Sequence, residues 1–481
     1  MPKTMEEILL EEQQRQIEQG ILDTFSRNLH EEDYLAQFTK EKKSFGEEIL
    51  ETFLKLFDKC STKNEIYAHQ MFHCILGQMF KDITVSWIGT NENDLRFNPF
   101  VIISSGAGKS VAVNFLKKIS DGVNVPFYVK TGEITEAALI GSFTKDPGKK
   151  PVKETGLMEK FADGGIIHFD EADCFLSSQE KEYNKNLLSY IQTALNTIGS
   201  PQNRINKDLK YGSIDYFPKC SFSFTTYPIK TKMMDVLKRG FFQRIMPYCK
   251  ILTKKEWDEL VERIIDMMYE RHKKMEDEKW KKILAREAVQ IDKLISKLLE
   301  VKSYVEKNFK GKRIVWEDGV KEKLNEINKK ISRRLFLIGG DVGELFDTFR
   351  VRTINEIHRV AIHKAFLDKR LIISVEDIEY AESLMLKVFN SLLGTVINLE
   401  EVVKHDSIDM QRWRKLKRDW STIMRRLTFK KGLVETNQFV EVCAKYFDVH
   451  ESTMRRYLTE WVKKGLLKRI GGGRGGSFLR L

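Results

Sequence analysis

The run Phe100-Val101-Ile102-Ile103 passes directly into Ser104-Ser105-Gly106-Ala107-Gly108-Lys109-Ser110, then into Val111–Ile119 with apolar residues at helical spacing. Apolar residues at consecutive positions suit a strand covered on both faces, as in a parallel sheet. This one feature commits the middle of the chain to an α/β layer architecture. Gly106 and Gly108 add no side-chain bulk, so backbone N–H groups can converge on an anion-sized hollow at the positive end of the helix. The pattern is that of a phosphate-binding loop cradled by Ser105, Gly106, Ala107, Gly108, Lys109 and Ser110. Ile103 stands where the full GxxxxGK[ST] pattern has its first glycine.

Further along, Gly164-Gly165-Ile166-Ile167-His168-Phe169-Asp170-Glu171 puts two carboxylates at the carboxyl end of an apolar strand. An acidic pair alone could be a turn, but its order after Lys109 matches a Walker B motif. The expected ligand is then ATP with Mg²⁺: Lys109 reaches the terminal phosphates and Ser110 and Asp170 hold the metal. Glu171 orients and deprotonates the attacking water. Further strands are predicted at Ile83–Ile88, Pro126–Val129 and Phe222–Thr226, giving a three-layer α/β core.

Charge separates the two ends of the chain. Residues 411–481 hold 18 Lys and Arg against 6 Asp and Glu, while the rest of the chain holds 63 of each sign, so the whole net charge of +12 lies there. A basic tail domain on a neutral body points to a polyanion, DNA or RNA. The six cysteines are scattered with no CxxC pair, which disfavours disulfides and structural zinc and fits a reducing, cytoplasmic setting. Neither a signal peptide nor a membrane span is expected.

Four regions follow from the patterning. Residues 1–64 read as an N-terminal helical region, with Ile8, Leu9, Ile17, Ile21, Leu22 and Phe25 at helical spacing, suited to a collar or packing arm. Residues 65–250 form the α/β core, and 251–395 are almost entirely helical. Residues 404–481 read as a winged helix: helical patterns at Trp420–Leu427, Asn437–Tyr446 and Ser452–Lys464 precede a hairpin tipped by glycines 471–476. The third helix would carry Arg455, Arg456 and Lys463, and the wing Lys468, Arg469 and Arg474, all available to duplex DNA.

Taken in order, these motifs resemble the AAA+ ATPases, within them the branch with a hairpin before sensor 1, such as the minichromosome maintenance (MCM) helicases. The resemblance spans about Asn98 to Leu384 and the winged helix. It implies a three-layer parallel-sheet core with a helical lid. It also implies a pre-sensor hairpin within Arg204–Lys219, with Lys207 and Lys210 near its tip facing single-stranded DNA in a channel. The strand ending Phe224-Thr225-Thr226-Tyr227 resembles sensor 1, with Tyr227 in place of the usual Asn and the water-orienting role passing to Thr226. Gly240-Phe241-Phe242-Gln243-Arg244 resembles the arginine-finger segment, and Arg352 opens a stretch like the sensor 2 helix. Ser374-Val375-Glu376-Asp377 reads as a capped helix start. About a hundred residues precede the loop, without the spacing of the zinc ligands that MCM proteins carry, so the helicases of mobile elements are the nearer likeness.

The resemblance implies a ring, a hexamer, that hydrolyses ATP between subunits and translocates on DNA. A replication initiator or loader that remodels DNA without processive unwinding is the alternative. A non-enzymatic DNA-binding regulator is disfavoured by the intact Lys109, Asp170 and Glu171.

Overall fold

The computed structural model describes residues 43–58, 64–83, 85–88, 91–93, 95–104, 109–145, 147–172, 184, 186–227, 244–250, 252, 254–274, 278–338, 340–405, 416, 423, 425–430, 433–447, 449–463, 467–473 and 476–480. The chain parts into two compact units, Met1–Thr395 and Val396–Leu481.

In the first unit, helices α1 (Phe45–Asp58) and α2 (Glu65–Met79) precede strands β1 (Val85–Ile88), β2 (Asn91–Asn93) and β3 (Pro99–Ile103). Then come α3 (Lys109–Gly122), β4 (Phe127–Thr131), α4 (Glu136–Ile140), β5 (Gly141–Thr144), β6 (Val152–Thr155), α5 (Leu157–Lys160) and β7 (Ile166–Asp170). After α6 (Leu187–Ala194), β8 (Ile205–Leu209), β9 (Gly212–Tyr216), β10 (Ser221–Thr226) and β11 (Met246–Lys250) complete the α/β part.

The central sheet is fully parallel, in the order β11-β3-β10-β7-β4. Every residue of β3 and β10 is buried, and so are Ile166–Phe169 of β7. Alternate residues point to opposite faces, so both faces are covered and the core has three layers. One sequence expectation changes. The run at Ile83–Ile88 supplies β1, which pairs antiparallel with β2 instead of joining the central sheet. The sheet's edge is instead β11, whose Pro247 lacks a backbone N–H and is tolerated only where one side needs no partner.

From β3 the chain crosses over β10 and β7 to reach β4, steps back through β7 and β10, and passes over β3 to β11. Adjacent β3 and β10 therefore send their connections in opposite directions. Right-handed crossovers would place these connections on opposite faces, the topology in which ligands characteristically bind beyond the carboxyl ends of such strands.

Long helices follow, as the sequence predicts: α7 (Lys254–Lys274), α8 (Glu278–Phe309), α9 (Val320–Ile338), α10 (Gly340–Leu367) and α11 (Val375–His405). Between them β12 (Val315–Trp316) and β13 (Ile372–Ile373) form a short parallel pair. The start of α11 is capped reciprocally: Ser374 N donates to Asp377 Oδ2 at 2.9 Å and Asp377 N to Ser374 Oγ at 3.4 Å.

These helices pack onto α2 through buried polar groups. His69 and His73 lie 2.9 and 3.0 Å from the Tyr380 hydroxyl. His73 Nδ1 is 3.2 Å from His363 Nδ1, and His363 Nε2–H donates to the Leu95 carbonyl at 2.9 Å. The described part of the N-terminal region joins the same layer and is no separate arm, for Gly46 N donates to Asp368 Oδ1 at 2.6 Å and Lys297 pairs with Glu48 at 2.9 Å. The apolar stripe from Ile8 to Phe25 lies outside the described residues.

In the second unit β14 (Phe429–Lys430) and β15 (Leu433–Glu435) precede α12 (Thr436–Phe447), α13 (Glu451–Lys463), β16 (Lys468–Gly473) and β17 (Gly476–Arg480). The four strands form one antiparallel sheet, β14-β15-β17-β16. The expected hairpin is β16–β17, and β14 and β15 add two strands that the sequence reading did not include. α13 buries Met454, Tyr457, Leu458 and Trp461 at helical spacing. The helix predicted at Trp420–Leu427 falls largely outside the described residues, though Leu416 and Ile423 are buried in this core.

Cys74, Cys220, Cys249 and Cys443 are buried free thiols. Among the described residues no helix is long and apolar enough to cross a membrane.

Candidate nucleotide and nucleic-acid sites

Register sets the geometry at the carboxyl end of the sheet. Phe224 of β10 lies beside Phe100 of β3 and Phe169 of β7, so Ile102, Thr226 and Asp170 reach the carboxyl end at nearly one level. Neighbouring strands are about 4.8 Å apart, which puts the ends of β3 and β7 roughly 10 Å from each other with β10 between. Lys109 is the first residue of α3, and its ammonium donates to the Ile103 carbonyl at 3.3 Å. Ser110 follows it and is exposed. Ser105, Gly106, Ala107 and Gly108 lie outside the described residues.

Asp170 ends β7, and Glu171 turns the chain with φ +57°, a left-handed conformation uncommon outside glycine. Glu171 N donates to Asp170 Oδ1 at 3.2 Å. The hydroxyl on the acidic pair is that of Thr225, which donates to Asp170 Oδ1 at 2.8 Å. Thr226, the sequence choice for the sensor position, is buried and directs its hydroxyl to the Tyr227 carbonyl at 3.5 Å. Strand alternation accounts for the Thr225 contact: Ser223 and Thr225 share the face of β10 that meets His168, while Phe222 and Phe224 share the other. Phe224 stacks there on Phe100 and Phe169, both at 5.3 Å. The period-two pattern Ser221-Phe222-Ser223-Phe224-Thr225 was the signal that could have found Thr225.

Burial pushes the His168 imidazole down to about 4, although the neighbouring Asp170 carboxylate pulls the other way. It is therefore neutral at physiological pH, with one N–H. His168 Nδ1 is 2.7 Å from Ser223 Oγ and Nε2 is 3.2 Å from Thr225 Oγ1.

Among the described residues no group of three or more His, Cys, Asp and Glu side chains could hold a metal ion. Ser110 and Asp170 are a sparse set of hard oxygen donors, which fits Mg²⁺ completed by phosphate and water rather than a protein cage.

Arg244 and Arg352 do not join this group. Arg244 lies two residues ahead of Met246, which pairs with Pro99 at the start of β3. It is thus at the amino end of the sheet, one five-residue strand and roughly 15 Å from the carboxyl end. Its Nε donates to Asn196 Oδ1 at 3.2 Å, and Arg352 Nη2 donates to the Arg244 carbonyl at 2.7 Å. Arg352 also pairs at 2.6 Å with the buried Glu356, which Arg359 shares. Asn196 joins three elements at this end. Its Nδ2 donates to the Gln202 carbonyl at 2.8 Å, and its own carbonyl accepts from the buried Arg96 at 2.6 Å.

The hairpin expected within Arg204–Lys219 is β8–β9, turned at Lys210 and Tyr211. Lys210 is at the tip as predicted, whereas Lys207 is not. It pairs with Ile214 in the ladder and bonds the Glu136 carboxylate. Burial opposes its charge, but Glu136 and Tyr190 hold the ammonium above the usual lysine range. The length of the two strands, invisible before folding, set that distance from the tip.

A second hairpin, β5–β6, lies beside the first, and a Cβ at Gly212 would meet the Phe143 ring at 2.5 Å. Its connection carries exposed Lys145, Lys149 and Lys150. Lys145 and Lys210 sit 5.5 and 5.3 Å from the Tyr211 ring centroid. The Pro147-Gly148 turn between two alternating segments was the overlooked signal.

In the second unit Arg455 and Arg456 are exposed on α13; Arg455 donates to Asn437 Oδ1 at 3.1 Å. Lys463 ends that helix, and Lys468 and Arg469 begin β16, where they pair with Arg480 and Leu479. Arg474 lies outside the described residues.

Compared with known proteins, the chain matches no family model and no curated sequence.

Proposed function

We propose that this chain is an ATP-dependent DNA motor of the AAA+ class, acting as a ring, a hexamer, on DNA during replication. The reading rests on one observation above the others: Lys109, at the start of the helix after β3, and Asp170 and Glu171, at the end of β7, lie at the carboxyl edge of one parallel sheet on either side of β10, and the buried Thr225 holds Asp170 from behind. Lys109 would neutralise phosphate charge, and Ser110 and Asp170 would hold Mg²⁺, which when bound offsets the charge of the β- and γ-phosphates. Glu171 would take the proton from the attacking water. Arg244 and Arg352 are too far from this edge to serve it, which favours their acting on the same edge of a neighbouring subunit. Tyr211, flanked by Lys145 and Lys210, combines a stacking ring with cations, the chemistry that grips single-stranded DNA.

The second unit, read as a winged helix with a basic exposed helix, would hold duplex DNA mainly through phosphates. Steady-state turnover with forked DNA tests the proposal. The expected result is DNA-stimulated ATP hydrolysis and strand displacement, both lost in Glu171→Gln. Turnover without displacement would favour an initiator or loader, and absence of turnover would overturn the enzyme reading.

A further inference from the structure

We infer that Thr225 is a positioning residue for Asp170, fixed from behind by His168 and Ser223, and that this relay presents the carboxylate to nucleotide-bound Mg²⁺. The inference rests on the proposed nucleotide reading and deepens it.

The carboxylate fixes the direction of the hydrogen bonds nearest to it. A carboxylate accepts and cannot donate, so the single Thr225 O–H donates to Asp170 Oδ1 at 2.8 Å. Thr225 Oγ1 can then only accept from His168, 3.2 Å away, so Nε2 carries the imidazole hydrogen. Ser223 Oγ lies 2.7 Å from Nδ1 on the far side of the ring. The three side chains form one hydrogen-bonded series that ends on the carboxylate, and each bond polarises the next.

The relay is dry and confined. Ser223, Thr225 and His168 are each 0 % exposed, on two paired strands of the buried sheet. Such groups are costly to bury unless each is satisfied, and here each satisfies the next. Its outer end has a specific consequence for the metal. The Glu171 N–H also donates to Oδ1, at 3.2 Å. Among the described residues both hydrogen bonds to the carboxylate fall on Oδ1, which leaves Oδ2 to face a metal. A carboxylate held at one oxygen keeps its plane, so little rotational freedom is lost when the other oxygen binds. Hydrogen-bond partners behind a metal ligand are typically worth 10- to 100-fold in metal affinity.

The test is binding of a fluorescent ATP analogue, titrated with Mg²⁺ or held in EDTA, to full-length protein. Thr225→Val keeps the side-chain shape and removes the O–H. The expected result is unchanged affinity in EDTA and a roughly tenfold higher Mg²⁺ half-saturation, restored by Thr225→Ser. A purely structural role predicts a lower melting temperature with the wild-type Mg²⁺ dependence, and that outcome overturns the relay. If Thr225→Val does not fold, Ser223→Ala carries the test from the far end. It should raise the Mg²⁺ half-saturation several-fold, and an unchanged value overturns the inference. Wild-type protein that binds no analogue in either condition overturns the nucleotide reading and the relay with it.

Discussion

At the carboxyl end of the central sheet lie an ammonium and two carboxylates, one of them held by a buried threonine hydroxyl. At the amino end guanidinium groups are tied to the chain's own oxygens: Arg96 to four carbonyls, Arg244 to Asn196, and Arg352 to Glu356 and the Arg244 carbonyl. The two ends are built by the same strands yet differ in what they leave available. Strand ends that open into a switch-point crevice expose their next residues, whereas strand starts are approached by returning helices whose terminal carbonyls attract buried arginines. An oligomeric ATPase would need both kinds of end, one to bind nucleotide and one to complete the neighbour's site.

The most severe way to break this division is Arg244→Ala. Turnover is expected to fall roughly a thousandfold while nucleotide affinity stays near wild type, because the guanidinium would act on charge that develops during reaction. Mixing this variant with Glu171→Gln should restore part of the activity at interfaces that combine both intact halves. Mixed rings that stay inactive despite proven subunit exchange would refute action in trans.

Lys109→Ala should act at the other end and in the opposite sense, weakening nucleotide binding roughly a hundredfold through loss of a desolvated charge on phosphate. Equilibrium binding of a fluorescent nucleotide measures it, and wild-type affinity would displace the site from this end of the sheet.

Both ends lean on a neutral buried imidazole, His168 behind Asp170 and His363 on the Leu95 carbonyl next to Arg96. Burial lowers His363 and His358 to about 3, His168 to about 4, and His73 well below its ordinary value. In the unfolded chain each titrates near 6.5, so the unfolded state takes up protons first as pH falls. The stability of the neutral forms is complete above about pH 6.5 and declines toward the folded values. The slope reaches about 1.4 kcal/mol per histidine per pH unit. Urea midpoints at pH 7.5 and 5.5 should therefore differ clearly, and equal midpoints would contradict the burial of these rings.

The smallest effects separate the hairpin lysines. Lys207→Ala strands Glu136, whose side chain is only 10 % exposed, and should cost about 1–2 kcal/mol of stability. Lys210→Ala should leave stability unchanged and weaken single-stranded DNA binding a few-fold, more at low salt. Fluorescence anisotropy and thermal melts distinguish them; identical behaviour would mean that the tip has no role in binding.

Local chemistry was legible in the chain itself. A glycine loop between an apolar strand and a helix, an acidic pair ending another apolar strand, and a Ser-x-x-Asp cap each carry their meaning within a few residues. So the parallel α/β core, the long helices after Thr253 and the start of α11 could be anticipated, while the hairpin before β10 was expected from the family resemblance. Only the tertiary structure decided which strands share a sheet, because β1 and β11 are both short and differ in what lies beside them. It also decided that Thr225 rather than Thr226 meets Asp170, since the choice depends on which face of β10 turns toward β7. Lys207 meets Glu136, 71 residues distant in sequence, and Arg244 was set beside Arg352, 108 residues away. Residue type and spacing determine what a side chain can do; register and crossover direction determine what it meets, and those are properties of the packed sheet alone.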